Sequence, residues 1–251
     1  MKKARIRLDR LLVDRGLAES RTRAEALILA GRVRVEGLER PKPGTPVEPD
    51  RPVTLQGPPF PWVSRGGVKL AAALEAFGVA PAGRVCLDVG ASTGGFTDVL
   101  LHLGAARVYA VDVGYGQLHA RLRTDPRVVL REKVNARLLS AAEVPEPVSL
   151  VVADVSFISL ALVLPALVPL AAGGADFVLL VKPQFESERG EVGRGGIVRD
   201  PAVRERAVER VDRAATALGL LRRGRIESPI TGADGNVEFL VAFRAPVRAS
   251  R

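Results

Sequence analysis

Four charged residues stand in this 251-residue sequence where a parallel sheet would present them to a ligand. They are two lysines and two carboxylates: Lys69 in SRGGVKL, Asp154 in LVVADV, Lys182 in DFVLLVK and Glu238 in GNVEFL. The hydrophobic runs around them indicate strands, and ligands of open parallel sheets bind at the carboxyl ends of the strands. For any one of these residues alone, a surface charge at the end of a strand is the common explanation. Together they predict proton transfer or the positioning of a charged group.

The composition of the chain argues that Lys69 and Lys182 are not ordinary surface charges. Of the 37 basic residues only six are Lys and 31 are Arg, so this chain uses Arg where positive charge alone is sufficient. Arg keeps its proton in proteins, whereas the pKa of a buried or crowded Lys falls toward neutrality. Lys69 and Lys182 are therefore candidates for proton chemistry or for holding a point charge.

A glycine-rich turn, DVGASTGGFTDVL, begins at Asp88 and opens a predicted helix. Gly90, Gly94 and Gly95 allow a tight turn and a close approach of the backbone to a ligand. Asp112 ends the next predicted strand, where an acid can bind the ribose hydroxyls of an adenosine-containing cofactor. The spacing is neither GxGxxG nor that of a phosphate-binding loop. The pattern predicts a site for S-adenosylmethionine or a dinucleotide, and an ordinary turn is the alternative.

The elements that must position these residues alternate along the chain. Strand-like runs begin at residues 84, 107, 127, 150 and 176, and two last strands, LRRGRIE and VEFLVAF, are close enough to pair. Between them lie predicted helices, among them YGQLHARL and the segment from Phe157 to Pro169. This predicts an α/β fold with a Rossmann-like seven-stranded sheet of the methyltransferase type, mostly parallel with the last strand antiparallel.

A stiff proline-rich segment, GPPFPWV, separates this region from the start of the chain. We predict a small α+β domain over residues 1–58, a linker over residues 59–64 and the α/β domain over residues 65–251.

Within the small domain, hydrophobic spacing predicts a helix from Arg7 to Arg15 and a second helix capped by Ser20. A strand from Arg32 to Gly37 is expected to pair with Val53 to Leu55, and the segment PKPGTPVEPD between them is predicted to be a loop.

Charge and composition bound the function further. The net charge is +9, and residues 1–62 hold 13 Lys and Arg against eight Asp and Glu, which indicates a polyanionic partner. One Cys and two His argue against a disulfide framework or a metal site, so no metal is expected. The start of the chain does not resemble a signal peptide, and the longest apolar run, Phe157 to Ala172, is too short to span a bilayer. We expect a cytoplasmic protein without stable membrane association.

Five motifs together carry a resemblance to a known family: SRGGVKL, DVGASTGGFTD, ADVSFISL, VKPQFE and GNVEF. The sequence resembles, over essentially its whole length, the TlyA family of S-adenosylmethionine-dependent ribosomal RNA methyltransferases, some of which are named haemolysins. The resemblance implies an S-four-type RNA-binding domain followed by an FtsJ-like ribose methyltransferase domain. Of the family's RxWV linker, Trp62 and Val63 are present, but Phe60 stands where Arg is expected.

The resemblance also implies which residues form the cofactor site. They are Asp88, Gly90, Ala91, Ser92, Thr93, Gly94, Gly95, Phe96, Asp112, Asn135 and Asp154. For Ser92, Thr93 and Thr97, however, capping of the helix that begins near Gly94 is the favoured interpretation. For Asn135 a turn is an equally good explanation.

By the same resemblance, the four charged residues form a catalytic tetrad for a ribose 2′-hydroxyl. Our hypothesis for their roles is that Lys182 acts as a base or orients the hydroxyl, Asp154 and Glu238 set the lysine charges, and Lys69 stabilises or positions the ribose oxygen. RNA phosphates are expected to contact a set of arginines that individually are ordinary surface charges: Arg5, Arg7, Arg10, Arg21, Arg23, Arg32 and Arg34. The expected partners are ribosomal RNA and ribosomal subunits.

Three alternatives stay open at this point. The haemolysin name suggests a membrane-active cytolysin, which leakage of liposomes by the pure protein would support. A non-catalytic RNA-binding assembly protein would keep the fold without binding the cofactor. A base-directed methyltransferase would carry an Asn/Asp-Pro-Pro-aromatic turn where this chain has DVSF, or a catalytic Cys, whereas Cys86 lies inside the first predicted strand.

Overall fold

The computed structural model describes residues 5–18, 20–29, 31–39, 41–55, 61–232 and 234–247. Two units can be distinguished, residues 1–65 and residues 66–251. Part of the predicted linker, Pro59 and Phe60, lies outside the described residues.

The first unit is an α+β structure in which short strands frame two helices. Its elements are β1 (Ile6–Arg7), α1 (Leu8–Asp14), α2 (Arg21–Leu29), β2 (Val33–Val35), β3 (Pro46–Val47) and β4 (Val53–Leu55). The predicted cap of α2 is confirmed, because the Ser20 hydroxyl accepts a hydrogen bond from the backbone N–H of Arg23 at 3.2 Å. The apolar residues Ala24, Leu27 and Ile28 of α2 are buried.

Two short antiparallel ladders complete this unit. The predicted pairing of β2 with β4 is confirmed, with Val33 opposite Leu55. The interpretation of PKPGTPVEPD as a loop was wrong in part, because β3 lies in it and pairs with β1, with Val47 opposite Ile6. A two-residue ladder beside prolines is too short to show the alternation that marks a strand in sequence.

A buried carboxylate joins the elements of the first unit. Asp9 in α1 is wholly buried and accepts hydrogen bonds from Arg7 Nη2 at 2.7 Å, Arg21 Nη2 at 3.0 Å and the backbone N–H of Arg10 at 2.8 Å. Hydrogen bonding to the Arg7 guanidinium, reinforced by Arg21, holds the pKa of the Asp9 carboxyl well below its usual range. One side chain thus links β1, α1 and α2.

The second unit is built on one large sheet. Its elements are α3 (Gly66–Phe77), β5 (Val85–Val89), α4 (Gly95–His102), β6 (Arg107–Val111), α5 (Ala120–Arg123), β7 (Val128–Arg131), β8 (Val148–Ala153), α6 (Leu160–Leu167), β9 (Ala171–Val181), α7 (Pro183–Glu186), α8 (Pro201–Ala217), β10 (Leu221–Glu227) and β11 (Phe239–Arg244). The strand order is β10-β11-β9-β8-β5-β6-β7.

The predicted seven-stranded sheet is confirmed. Strands β5 to β9 pair in parallel, and β11 runs antiparallel to both of its neighbours, β9 and β10. The consecutive apolar residues of β5, β8 and β9 are buried without alternation, as expected when both faces of a parallel sheet are covered. This burial forms the core that holds the strand ends in place.

Two predicted helices proved shorter than expected. The segment from Phe157 to Pro169 becomes helical only at Leu160, because Phe157 adopts a left-handed φ of 64° and Ser159 caps α6 by accepting a hydrogen bond from the N–H of Ala161. In YGQLHARL, the residues before Ala120 form turns, and His119 caps the short α5. No helix within the described ranges is both long and apolar enough to cross a bilayer.

The Asp9 cluster generates a stability prediction. Replacing Asp9 with Asn is expected to lower the free energy of unfolding of the first unit by about 1–3 kcal/mol at pH 7, because charged hydrogen bonds are lost. Since the folded-state pKa of Asp9 is lowered, its contribution is complete above pH ~4 and is lost as the pH falls further. Urea denaturation at several pH values, followed by the fluorescence of Trp62, the only Trp of the sequence, measures this free energy of unfolding.

The matched control is Asp14→Asn on the same helix, since Asp14 is half exposed and lies 3.7 Å from Arg10. Exposed pairs contribute little, so this variant should unfold as the wild type does. Equal stability of the Asp9→Asn variant and the wild type at pH 7 would contradict the assigned role.

Candidate active site

One pair of the predicted tetrad is buried between α3 and β11. Lys69, in the first turns of α3, forms an ion pair with Glu238, which precedes β11. Lys69 is 5% exposed and Glu238 is 2% exposed. Gly232 leaves room for the carboxylate, because a Cβ there would lie 2.5 Å from Glu238 Oε1. Burying two charges carries a desolvation cost that offsets their attraction, so this pair is a better candidate for chemistry than for stability.

The other pair lies where β8 and β9 end. Lys182 Nζ lies 2.5 Å from Asp154 Oδ1, in an ion pair without hydrogen-bond alignment, and it donates a hydrogen bond to Ser156 Oγ at 2.8 Å. Both charged side chains are partly exposed. Because an ammonium group carries three hydrogens, Lys182 can donate to a further oxygen while keeping these neighbours.

The register of the sheet brings the two pairs together. Phe239 of β11 is opposite Val181 of β9, so continuing this antiparallel ladder by one residue places Glu238 across from Lys182. On the other side, Ala153 of β8 is paired with β9 just before Asp154. The four predicted residues therefore share one edge of the sheet.

The glycine turn after β5 touches this edge directly. Asp154 donates its backbone N–H to the carbonyl of Val89 at 2.9 Å. Gly90 has a φ of 85°, and a Cβ at this position would lie 2.4 Å from the Asp154 carbonyl oxygen. Gly94 has a φ of 97°, and its Cβ would meet the Leu122 side chain. Both positions therefore require glycine, because the backbone of the turn packs directly against Asp154 and Leu122.

Asp88 is a buried carboxyl at the base of the turn. Its Oδ2 accepts a hydrogen bond from Thr97 Oγ1 at 2.6 Å, whereas its buried Oδ1 has no hydrogen-bond partner. Burial raises the pKa of Asp88 to about 7, and the nearby carboxylates of Asp154 and Asp112 act in the same direction. An unpartnered buried oxygen is the kind of group that a ligand or a water molecule satisfies.

Asp112 holds the other side of the turn. Its two oxygens accept backbone hydrogen bonds, Oδ2 from Ser92 and Oδ1 from Gly114, both at 2.7 Å. The side chain is only partly buried, and each carboxylate oxygen can accept a second hydrogen bond. Asp112 thus orders the turn and keeps acceptor capacity for a ligand.

The favoured capping interpretation of the turn hydroxyls was wrong. The N-cap of α4 is Gly94 itself, which makes no side-chain cap. Thr97 instead donates to Asp88, and the Ser92 hydroxyl lies 3.3 Å from Gln117 Oε1. Of the other predicted cofactor residues, Ala91, Gly95 and Phe96 are buried, and the Thr93 carbonyl accepts from the N–H of His119.

Asn135 is exposed and lies before a 3-10 turn, Ala136–Leu138. Its Oδ1 accepts a hydrogen bond from the N–H of Arg137 at 3.0 Å, as a turn residue would. Contact of Asn135 with a cofactor stays a prediction.

Three residues outside the predicted set of site residues lie beside the site. Ser156 orients Lys182, and Asn236 links Val198 to Gly196 through its amide. Glu186 is buried and binds the N-terminus of α6. Asn236 and Glu186 lie inside the motifs GNVEF and VKPQFE, which was the available signal.

Several arginines of the predicted set bind other groups of the first unit. Arg7 and Arg21 bind Asp9, and Arg23 donates to the carbonyl of Trp62 at 2.7 Å. The others are exposed or half buried: Arg5, Arg10, Arg32 and Arg34.

Comparison with protein families shows to which family the chain that carries this site belongs. The sequence model of the FtsJ-like methyltransferase family matches residues 62–245 of this chain. The chain belongs to the FtsJ-like methyltransferase family. An S4 domain precedes this methyltransferase region, matching residues 6–53.

Relatives of this methyltransferase cover nearly its whole length. It is 55% identical over 241 residues to the 16S/23S rRNA (cytidine-2′-O)-methyltransferase TlyA of Mycobacterium tuberculosis, covering 96% of this chain and 90% of the relative. It is 41% identical to Hemolysin A of Brachyspira hyodysenteriae, in an alignment that covers 95% of this chain and 99% of the relative. A solved structure from Streptococcus thermophilus, named as a hemolysin, is 41% identical with a TM-score of 0.77, covering 98% of this chain and 91% of that one.

The burial of Asp88 generates a pH prediction for this methyltransferase. Because its folded-state pKa is raised to about 7, Asp88 contributes stability that is complete below pH ~4 and is lost as the pH rises through about 7. Relative to Asp88→Asn, the wild type should lose more than about 1 kcal/mol of unfolding free energy between pH 4 and 8. Urea denaturation followed by circular dichroism at several pH values measures the difference.

Asp125→Asn serves as the control, because hydrogen bonding to Arg127 lowers the pKa of Asp125. Its contribution is lost only as the pH falls below ~4, so its curve should parallel that of the wild type above this pH. Parallel curves for Asp88→Asn and the wild type would show that ionisation of the buried carboxyl does not destabilise the folded protein, which would contradict the prediction.

Proposed function

We propose that this chain transfers a methyl group from S-adenosylmethionine to a ribose 2′-hydroxyl of ribosomal RNA. The observation that carries the proposal is Lys182, held between Asp154 and Ser156 at the sheet edge beside the glycine turn. The name of the Mycobacterium tuberculosis relative supports both the ribose and the ribosomal RNA.

The residues of the turn fit this cofactor. Gly90 and Gly94 allow the sharp turn at the sheet edge through their positive φ angles, and Asp88 Oδ1 is a buried acceptor without a partner. The carboxylates of Asp112 and Asp154 lie close enough to act on Asp88, and their negative charge favours a ligand that carries positive charge. Asp112 would hold the ribose hydroxyls with its remaining acceptor capacity. When bound, S-adenosylmethionine supplies a methyl group activated by a positive sulfonium.

The tetrad provides what the methyl acceptor needs. A ribose 2′-hydroxyl is a weak nucleophile, so its oxygen must be oriented and its proton removed. Lys182 would bind this oxygen with the donor capacity that Asp154 and Ser156 leave, and would stabilise the charge that develops on it. Lys69, fixed by Glu238, adds a second positive charge at the same edge.

Two roles of Lys182 predict opposite pH dependence. If the neutral amine accepts the hydroxyl proton, kcat rises with pH until the amine is deprotonated. If the ammonium only orients the hydroxyl, the hydroxyl proton passes to solvent water, and kcat falls when the ammonium loses its own proton. The variant Lys182→Arg separates the two, because Arg keeps its charge and does not act as a base.

The first unit would bind the RNA backbone as an S4-type domain over residues 1–58, ahead of the linker over residues 59–64 and the methyltransferase domain over residues 65–251. Its exposed arginines support phosphate contacts, which position RNA without reading its sequence. Ribosomal subunits as partners would place the activity in the cytoplasm.

Replacing Lys182 should strongly reduce methyl transfer and leave the binding of S-adenosylmethionine intact. Lys182→Ala is expected to lower kcat by about 10²- to 10⁴-fold, while the Kd for S-adenosylmethionine changes little. Unmodified ribosomal subunits are incubated with tritiated S-adenosylmethionine, and the label is mapped by resistance to alkaline hydrolysis, which requires a free 2′-hydroxyl. Label without resistance would mean base methylation. No label from the wild type, with cofactor bound, would reject the proposed substrate.

RNA binding by the first unit can be tested through its salt dependence. Arg34 is exposed on β2, and Arg34→Ala should weaken binding to ribosomal RNA and reduce the slope of log K against log salt by about 0.7–0.9, the value for one phosphate contact. Arg213→Ala on α8, which removes an exposed charge near Glu209, is the control and should leave the slope unchanged. An unchanged slope for Arg34→Ala would exclude Arg34 from the RNA contacts.

A further inference from the structure

We propose that Glu186 is a positioning residue that sets the geometry of Lys182 and Asp154 by joining the two loops that carry them. This inference rests on the proposed function only in its effect on catalysis. The joining itself is a matter of contacts within the second unit.

Both carboxylate oxygens of Glu186 bind the loop that follows β8. Oε2 accepts a hydrogen bond from Ser159 Oγ at 2.5 Å, and Oε1 accepts one from the backbone N–H of Leu160 at 2.7 Å. Leu160 is the first residue of α6, whose N-terminus favours a negative charge. Glu186 is 2% exposed. A buried, doubly bonded carboxylate holds one orientation.

The link from Glu186 back to Lys182 is short and stiff. The two residues bound the single turn of α7, in which Pro183 restricts the backbone and the N–H of Phe185 donates to the Lys182 carbonyl at 2.9 Å. The position of the Glu186 carboxylate is therefore transmitted to Lys182 within one turn of helix.

The same two loops meet at two further points. Lys182 donates to Ser156, and the rings of Phe157 and Phe185 lie 5.1 Å apart. Phe157 is strongly exposed, so little packing holds its loop from outside. Glu186 is the buried anchor of this set of contacts, and the Lys182–Asp154 ion pair lies at its solvent-facing end.

The placement of Glu186 does not serve stability alone. Burial raises the pKa of Glu186 above its usual value, although the hydrogen bonds from Ser159 and Leu160 and the charge of Arg210 oppose this shift. The ionised carboxylate is therefore destabilising at neutral pH. A neutral Gln would relieve this cost and still accept one of the two hydrogen bonds.

The test compares Glu186→Ala and Glu186→Gln with the wild type. We expect Glu186→Ala to lower kcat by about 10- to 100-fold, since a displacement of about 1 Å at a reacting group has effects of this size. Glu186→Gln should lower kcat less. The KM for RNA and the Kd for S-adenosylmethionine should stay within about two-fold, and the Tm of Glu186→Gln should equal or exceed that of the wild type.

The matched control is Glu146→Gln. Glu146 also accepts hydrogen bonds from two side chains, those of Arg107 and Tyr109, but it lies just before β8, at the opposite end of the sheet from Lys182. This variant should keep the kcat of the wild type. An equal loss of kcat in Glu146→Gln would show that Glu186 has only a structural role. A loss of kcat in the Glu186 variants that is proportional to their loss in Tm would show the same.

A crystal structure of Glu186→Ala gives a readout that does not depend on activity. We expect the separation of Lys182 Nζ and Asp154 Oδ1, 2.5 Å in the wild type, to increase by about 1 Å. An unchanged separation, or a wild-type kcat in Glu186→Ala, would overturn the inference. An increased separation together with a wild type that methylates no ribosomal RNA would reject the proposed function and leave the positioning role supported.

Discussion

The antiparallel insertion of β11 between β9 and β10 is the constraint on which the site depends. Strands β8 and β9 run in parallel, so their carboxyl ends bring Asp154 and Lys182 to one edge without further help. Glu238 reaches the same edge because β11 runs the other way and begins there. A parallel last strand would start at the far end of the sheet. Lys69 would then lack its buried partner.

Charges in the second unit are distributed unevenly between this edge and the rest of the surface. Elsewhere carboxylates pair with exposed arginines, such as Arg225 with Glu205, and such pairs contribute little to stability. At the carboxyl edge, Lys69, Glu238 and Asp88 are buried, where desolvation opposes their charged forms. The core of consecutive buried strands offsets this cost. The fold thus tolerates buried charge where the proposed chemistry needs it.

Sequence reasoning succeeded where the signal was local and failed where it was not. The sheet could be predicted because near-continuous apolar runs mark buried parallel strands, and the rarity of Lys singled out Lys69 and Lys182. Which carboxylate each lysine contacts depends on strand register, which no single segment contains. The start of α6 was misplaced because Phe157 adopts a left-handed φ that a sequence normally signals with glycine.

Two arginines of the first unit form ion pairs within the protein and still remain largely exposed to solvent. Arg7 and Arg21 bind Asp9, yet their side chains remain 53% and 58% exposed. A guanidinium carries five donors and uses only some of them here. A side chain that is already held loses less conformational entropy when it binds a phosphate than a free one does. An internal ion pair and an RNA contact are therefore compatible for the same arginine, and the buried Asp9 supports both.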